Sequence, residues 1–140
     1  MPGCRAVLDT NVVLAAQRAN DPASPNREIL GRWKSAEFVL LYSADMVIEY
    51  AEKLLEHGFS ESEVRSYLAL VRLLGERVNI TFFHVRNYPP DSDDIAFLLC
   101  ALNGEATHLV TYDAHLLELQ PYYALTICQP LRFLAELRVP

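Results

Sequence analysis

Apolar residues run through this chain in two rhythms. Short apolar-rich blocks of strand length stand at residues 6–8, 38–42, 80–85, 108–111 and 125–128, and between most of them apolar positions return at helical spacing. The first block stops on Asp9, and a new apolar run opens three residues later at Val12. The spacing predicts a buried strand ending at Asp9, then a helix over 12–19 capped by Asp9, Thr10 or Asn11. A proline- and Asx-rich loop over 20–26 leads to a helix over 26–35 with Ile29, Leu30 and Trp33 on one face. After the second strand block Ser43 is placed to cap a helix over 44–56, whose stripe is Met46, Val47, Tyr50, Ala51, Leu54 and Leu55.

Ser60-Glu61-Ser62-Glu63 is a capping box, and the helix it opens is expected to run to about Arg77, followed by a third strand over 80–85. Asp91-Ser92-Asp93-Asp94 introduces an apolar segment over 95–102 closed by Asn103-Gly104, which the acidic entry marks as a buried helix. A fourth strand over 108–111 runs into Tyr112-Asp113, a short helix carries Leu116 and Leu117, and a fifth strand over 125–128 precedes a helix opened by Pro130. Strands alternating with helices imply a parallel sheet covered on both faces.

At 140 residues, 51% hydrophobic and 21% charged, the chain suits a single globular domain over residues 1–140. A net charge of −6 argues against a broadly basic protein that coats nucleic acid, while leaving room for acids reserved for metal ions. Cys4, Cys100 and Cys128 are scattered without metal-ligand spacing and read as thiols in a reducing compartment. No leader precedes Asp9 and no apolar run approaches the roughly 18 residues of a membrane span, so the expectation is a cytoplasmic protein without a membrane partner.

The acids hold the chemistry. Asp9 and Asp113 share one context, an apolar strand ending on an acid with a helix next, and ligands of open parallel sheets sit beyond the strands' carboxyl ends. Each acid, Asp93 included, also reads as a helix cap or first-turn residue favoured by the helix dipole. Glu49 falls on the polar face of its helix with Glu52, Lys53 and Glu56, where periodicity predicts exposure, yet its second-turn position allows it to face a cleft. Carboxylates packed together repel one another, and a divalent cation such as Mg²⁺ or Mn²⁺ removes that conflict and activates water against a phosphodiester. Asp91-Ser92-Asp93 does not continue as a calcium loop, since Ala96 stands where glycine is needed.

The order and spacing of these pieces resemble the PIN-domain family of metal-dependent ribonucleases, which includes toxins of bacterial toxin–antitoxin pairs. The resemblance rests on Leu8-Asp9-Thr10-Asn11-Val12, on Ser43 with Glu49, on Asp91-Ser92-Asp93-Asp94, on Leu109-Val110-Thr111-Tyr112-Asp113 with Leu116-Leu117, and on Pro130-Leu131-Arg132-Phe133-Leu134. It implies a three-layer α/β/α sandwich with five parallel strands in the order 3-2-1-4-5. It also implies catalytic, metal-binding acids at Asp9, Glu49, Asp94 and Asp113, supported by Thr10, Asn11, Ser43, Asp91, Asp93 and Thr111. Mg²⁺ or Mn²⁺ is the implied cofactor, RNA the implied substrate and an antitoxin the implied partner, with a homodimer left open. Tyr112 stands where glycine is common in the toxin-like subgroup, and Tyr88-Pro89-Pro90 replaces a simpler approach to the acids. Arg18, Arg27, Arg32, Lys34 and Arg86 are candidates for phosphate contacts. A PIN-like module that only holds a partner is the alternative. A small-molecule phosphatase is a more distant one, since that chemistry needs an acid where Asn11 stands.

Overall fold

The first strand, β1 (Arg5–Leu8), is buried from Ala6 to Leu8 and forms the middle of the sheet. In the computed structural model, which describes residues 3–85, 87, 89 and 92–139 (the backbone alone for Asp93), β1 pairs in parallel with β2 (Val39–Tyr42) on one side and β4 (His108–Val110) on the other. β3 (Glu76–Arg77) lies outside β2 and β5 (Thr126–Cys128) outside β4, giving five parallel strands in the order 3-2-1-4-5. Apolar side chains on both sides of β1 and β4 follow from this arrangement, because helices cover both faces of a parallel sheet.

Local chemistry sets the helix boundaries. Asp9 caps α1 (Thr10–Arg18) by accepting from the Thr10 N–H at 2.8 Å, so the helix begins two residues before the first apolar position. Pro25 opens α2 (Pro25–Lys34), a position where its missing N–H costs nothing. Ser43 caps α3 (Ala44–Glu56), and both bonds of the Ser60–Glu63 capping box start α4 (Glu61–Leu74). α5 (Ser92–Asn103) packs on β1, β2, β4 and α3, which explains why it is apolar nearly all round. α6 (Ala114–Leu117) is capped by Asp113, and α7 (Pro130–Leu137) packs on α2 and β4.

The third strand departs from the expectation. The helix that was to reach Arg77 stops at Leu74, the strand is the pair Glu76–Arg77, and residues 80–85 form no strand. Gly75 permits the abrupt exit: a Cβ there would stand 2.6 Å from the Val71 carbonyl oxygen and 3.2 Å from that of Leu40. Pairing continues only as far as the Val78 N–H, 2.7 Å from Tyr42 O. Beyond it the Asn103 side chain serves as the partner, accepting from the Thr81 and Phe82 N–H groups and donating to Phe82 O at 2.8, 3.2 and 3.0 Å. A side chain thus satisfies backbone that a strand would have paired.

The core runs from α2 and α7 through the sheet to α3, α4 and α5, with Tyr50, Phe97 and Phe133 the largest fully buried side chains. The Tyr50 hydroxyl donates to Leu8 O, and burial holds its pKa well above the usual phenol range, so it stays a donor. All three cysteines are free; burial pushes the Cys100 thiol up to about 12 and Cys128 to about 11, so neither reacts as a thiolate. Among the described residues no helix is long and apolar enough to cross a membrane.

Two stability measurements probe this frame. Gly75→Ala should destabilise the fold by about 1–3 kcal/mol through overpacking. Gly31→Ala, on an exposed turn of α2 with open space around the new methyl, should stabilise it by about 0.5–1 kcal/mol. Denaturant midpoints moving in the same direction would contradict the packing account. The second concerns Glu28, whose carboxylate bridges Arg138 at 2.6 Å and Arg32 at 2.8 Å and ties the end of α7 to α2. These guanidinium groups hold its pKa down at about 2 against an ordinary 4.5. A depressed acid stabilises the fold above its unfolded-state pKa and loses that contribution as pH falls through the folded one. The stability gap between wild type and Glu28→Gln should therefore be open at pH 7 and close between about 4.5 and 2; melts across that range check it.

Candidate functional site

The register of the sheet brings the strand-end acids together. Leu8 lies beside Val110, so the next residues, Asp9 and Thr111, stand side by side where the strands end. Backbone bonds from Asp9 N–H to Val110 O and from Thr111 N–H to Cys128 O, both 2.9 Å, carry the ladder that one residue further. The Thr111 hydroxyl then donates to Asp9 Oδ2 at 2.7 Å and accepts the Asp113 N–H at 2.9 Å. With Thr10 N–H on Oδ1, Asp9 is held at both oxygens, 4% exposed, in one orientation. Asp113 uses its own Oδ1 to cap α6 through the His115 N–H at 2.8 Å and stays half-buried.

Two helices complete the wall. α5 delivers Asp94, 7% exposed, and one turn later Phe97. α3 delivers Glu49, which is half-buried and not on an open polar face as its periodicity predicts. The reason lies in the neighbouring Tyr50, whose buried hydroxyl bond to Leu8 O draws this turn of α3 over the end of β1. Asp9, Glu49, Asp94 and Asp113 line one open cleft of about 180 Å³ with Thr10, Asn11, Leu14, Lys53 and Phe97.

The supporting residues divide in their roles. Asn11 lines the cleft and accepts the Tyr112 N–H at 3.4 Å. Ser43 is buried outside the cleft lining; its hydroxyl accepts the Met46 N–H at 3.4 Å and meets the Cys100 thiol, so it sets the start of the helix that carries Glu49. Tyr112 turns its hydroxyl to Asn26, donating to Oδ1 at 3.1 Å and accepting from Nδ2 at 2.9 Å, which ties the loop after β4 to the first turn of α2. Asp91, Arg86 and Tyr88 lie outside the described residues, as does the side chain of Asp93. Of the proposed phosphate contacts, Arg32 pairs with Glu28 and Glu37, Arg27 meets Ala19 O and Asn20 O at 3.4 Å, and Arg18 meets His57 O at 3.5 Å. None of these arginines, nor Lys34, lines the cleft; Lys53 does. Its signal in the sequence is the spacing of four from Glu49, which puts both on one helix face.

The donor set suits a hard divalent cation. Every polar side-chain atom these acids and their neighbours bring is oxygen, apart from the amide nitrogen of Asn11 and the ammonium of Lys53. Thr10 is 7% exposed and its buried Oγ1 has no hydrogen-bond partner among the described residues, an oxygen to which a bound ion or its water gives a use. Among the described residues no three His, Cys, Asp or Glu side chains stand placed to hold a metal ion together. Mg²⁺ asks for fewer: it keeps several waters and is commonly bound by one or two carboxylates together with substrate phosphates.

No curated protein matches the chain. Among solved structures, the crystal structure of VapBC2 from Rickettsia felis bound to a DNA fragment from their promoter superposes with a TM-score of 0.58 at 13% identity, covering 88% of this chain and 96% of that one. At that identity the likeness is one of fold. A family model for the PIN domain matches residues 5–115, a stretch that runs from β1 to the start of α6 and carries Asp9, Glu49, Asp94 and Asp113. On that match the chain belongs to the PIN-domain family, whose members are typically nucleases.

Proposed function

We propose that this chain is a divalent-metal-dependent endoribonuclease that cuts RNA phosphodiesters with water, and that it is the toxin of a toxin–antitoxin pair. The observation that carries the reading is the meeting of Asp9, Glu49, Asp94 and Asp113 around one open cleft that Thr10 also lines. Carboxylates of this cleft would hold Mg²⁺ or Mn²⁺, which when bound makes water a nucleophile at neutral pH and offsets charge developing on the phosphate.

The chain's own contribution is position. Asp9 is fixed at both oxygens, so little rotamer freedom remains for a ligand to freeze out. Asp94 is nearly as buried, while Glu49 and Asp113 are half-buried and keep contact with solvent, which suits them to orient a water or take its proton. Thr111 works through Asp9 and the Asp113 backbone, as outer-shell partners of metal sites do. The three free cysteines go with a cytoplasmic setting, and the likeness in fold to VapBC2 supports a protein partner that restrains the nuclease.

Single-stranded RNA incubated with the protein and Mg²⁺ or Mn²⁺ should be cut, and excess EDTA or Asp9→Asn should abolish the cutting; cleavage undiminished by either would overturn the metal mechanism. Asparagine can keep the Thr10 N–H bond and turn its amide toward Thr111, so the variant should fold. In thermal melts without RNA, saturating metal should stabilise the wild type, by about 2.7 kcal/mol at a hundredfold excess over Kd. Asp9→Asn should lose most of that response. Thr111→Val, which removes one hydroxyl and keeps the shape, should weaken metal binding by about 10–100-fold. An unchanged metal titration of Thr111→Val would show that the hydroxyl does not position the site.

A further inference from the structure

Lys53 is the only cation among the described residues that line the acidic cleft. It lies on α3 one turn beyond Glu49, with its side chain about one-third exposed and its Nζ 3.4 Å from Glu56 Oε2. We propose that Lys53 is a positioning residue for substrate phosphate, holding an RNA phosphate beside the carboxylates. The inference rests on the ribonuclease reading above.

A polyanion entering this cleft meets four carboxylates on a protein of net charge −6, and a single divalent ion offsets only half of those four charges. Some further cation at the cleft is needed for phosphate to settle there. Of the other basic side chains considered for the task, Arg86 lies outside the described residues, while Arg18, Arg27, Arg32 and Lys34 do not line the cleft, and Arg27 and Arg32 are engaged by Ala19, Asn20, Glu28 and Glu37. Lysine's compact ammonium rides on a flexible four-carbon stem, so it can leave a partly exposed pair with Glu56 for a phosphate oxygen without moving the helix. Such a contact is indifferent to base identity and acts on binding.

The test is the rate of cleavage of a fluorescent single-stranded RNA at several NaCl concentrations, paired with melts in Mn²⁺ without RNA, for wild type, Lys53→Gln and Lys53→Arg. Lys53→Gln should raise KM by about tenfold with kcat little changed, as expected for a lost charged hydrogen bond. It should also flatten the dependence of log(kcat/KM) on log[NaCl] by about 0.7, the contribution of one single-strand phosphate. The melting response to Mn²⁺ should persist in Lys53→Gln, and Lys53→Arg should restore KM and the salt slope. An unchanged KM and salt slope in Lys53→Gln would overturn the inference and leave the ribonuclease reading standing. Loss of the Mn²⁺ response would overturn it by assigning Lys53 to the metal site. A wild type that cuts no RNA would remove both readings together.

Discussion

One hydroxyl group joins the sheet to the chemistry. Thr111 Oγ1 has a single hydrogen, given to Asp9, and a lone pair that takes the Asp113 N–H. This relay exists only because β1 and β4 are neighbours in parallel register, with Leu8 beside Val110. A slip of one residue would turn Thr111 to the other face of the sheet and take its hydroxyl away from Asp9. The strand order is therefore also the reason two acids more than a hundred residues apart in sequence share one edge.

The helices around that edge are held by buried groups with no part in charge. Tyr50 fastens α3 to the last carbonyl of β1, and its ring lies 5.9 Å from that of Phe97, the α5 residue that also lines the cleft. Glu49 and Asp94 stand next to this aromatic pair in their respective helices, so the floor of the cleft is core packing. Interiors of this kind resist small displacements, and the rigidity passes to the carboxylates above.

Much of this could be read from the sequence because the signals are local. An apolar block stopped by an acid marks the ends of β1 and β4, and Ser60 with Glu63 announces α4. The third strand could not be read in the same way. Residues 80–85 have the composition of a strand, but Phe82 and Phe83 are exposed and the partner of this backbone is the side chain of Asn103, some twenty residues away. Periodicity ranks residues of a helix by hydrophobicity and has no means of telling an open polar face from the wall of a cleft, which is why Glu49 and Lys53 look solvated until α1 and α5 stand opposite them.

The shortness of β3 has a consequence for how another protein can engage this one. An edge strand of two charged residues offers almost no unpaired backbone for a visiting chain to extend, and at the opposite margin β5 has three. Recognition by addition of a strand, the route many peptide-binding sheets use, is closed at both margins. A protein that engages this one at its sheet margins would have to do so through side-chain surfaces and helices, where a grip can be set residue by residue and released without unzipping a sheet.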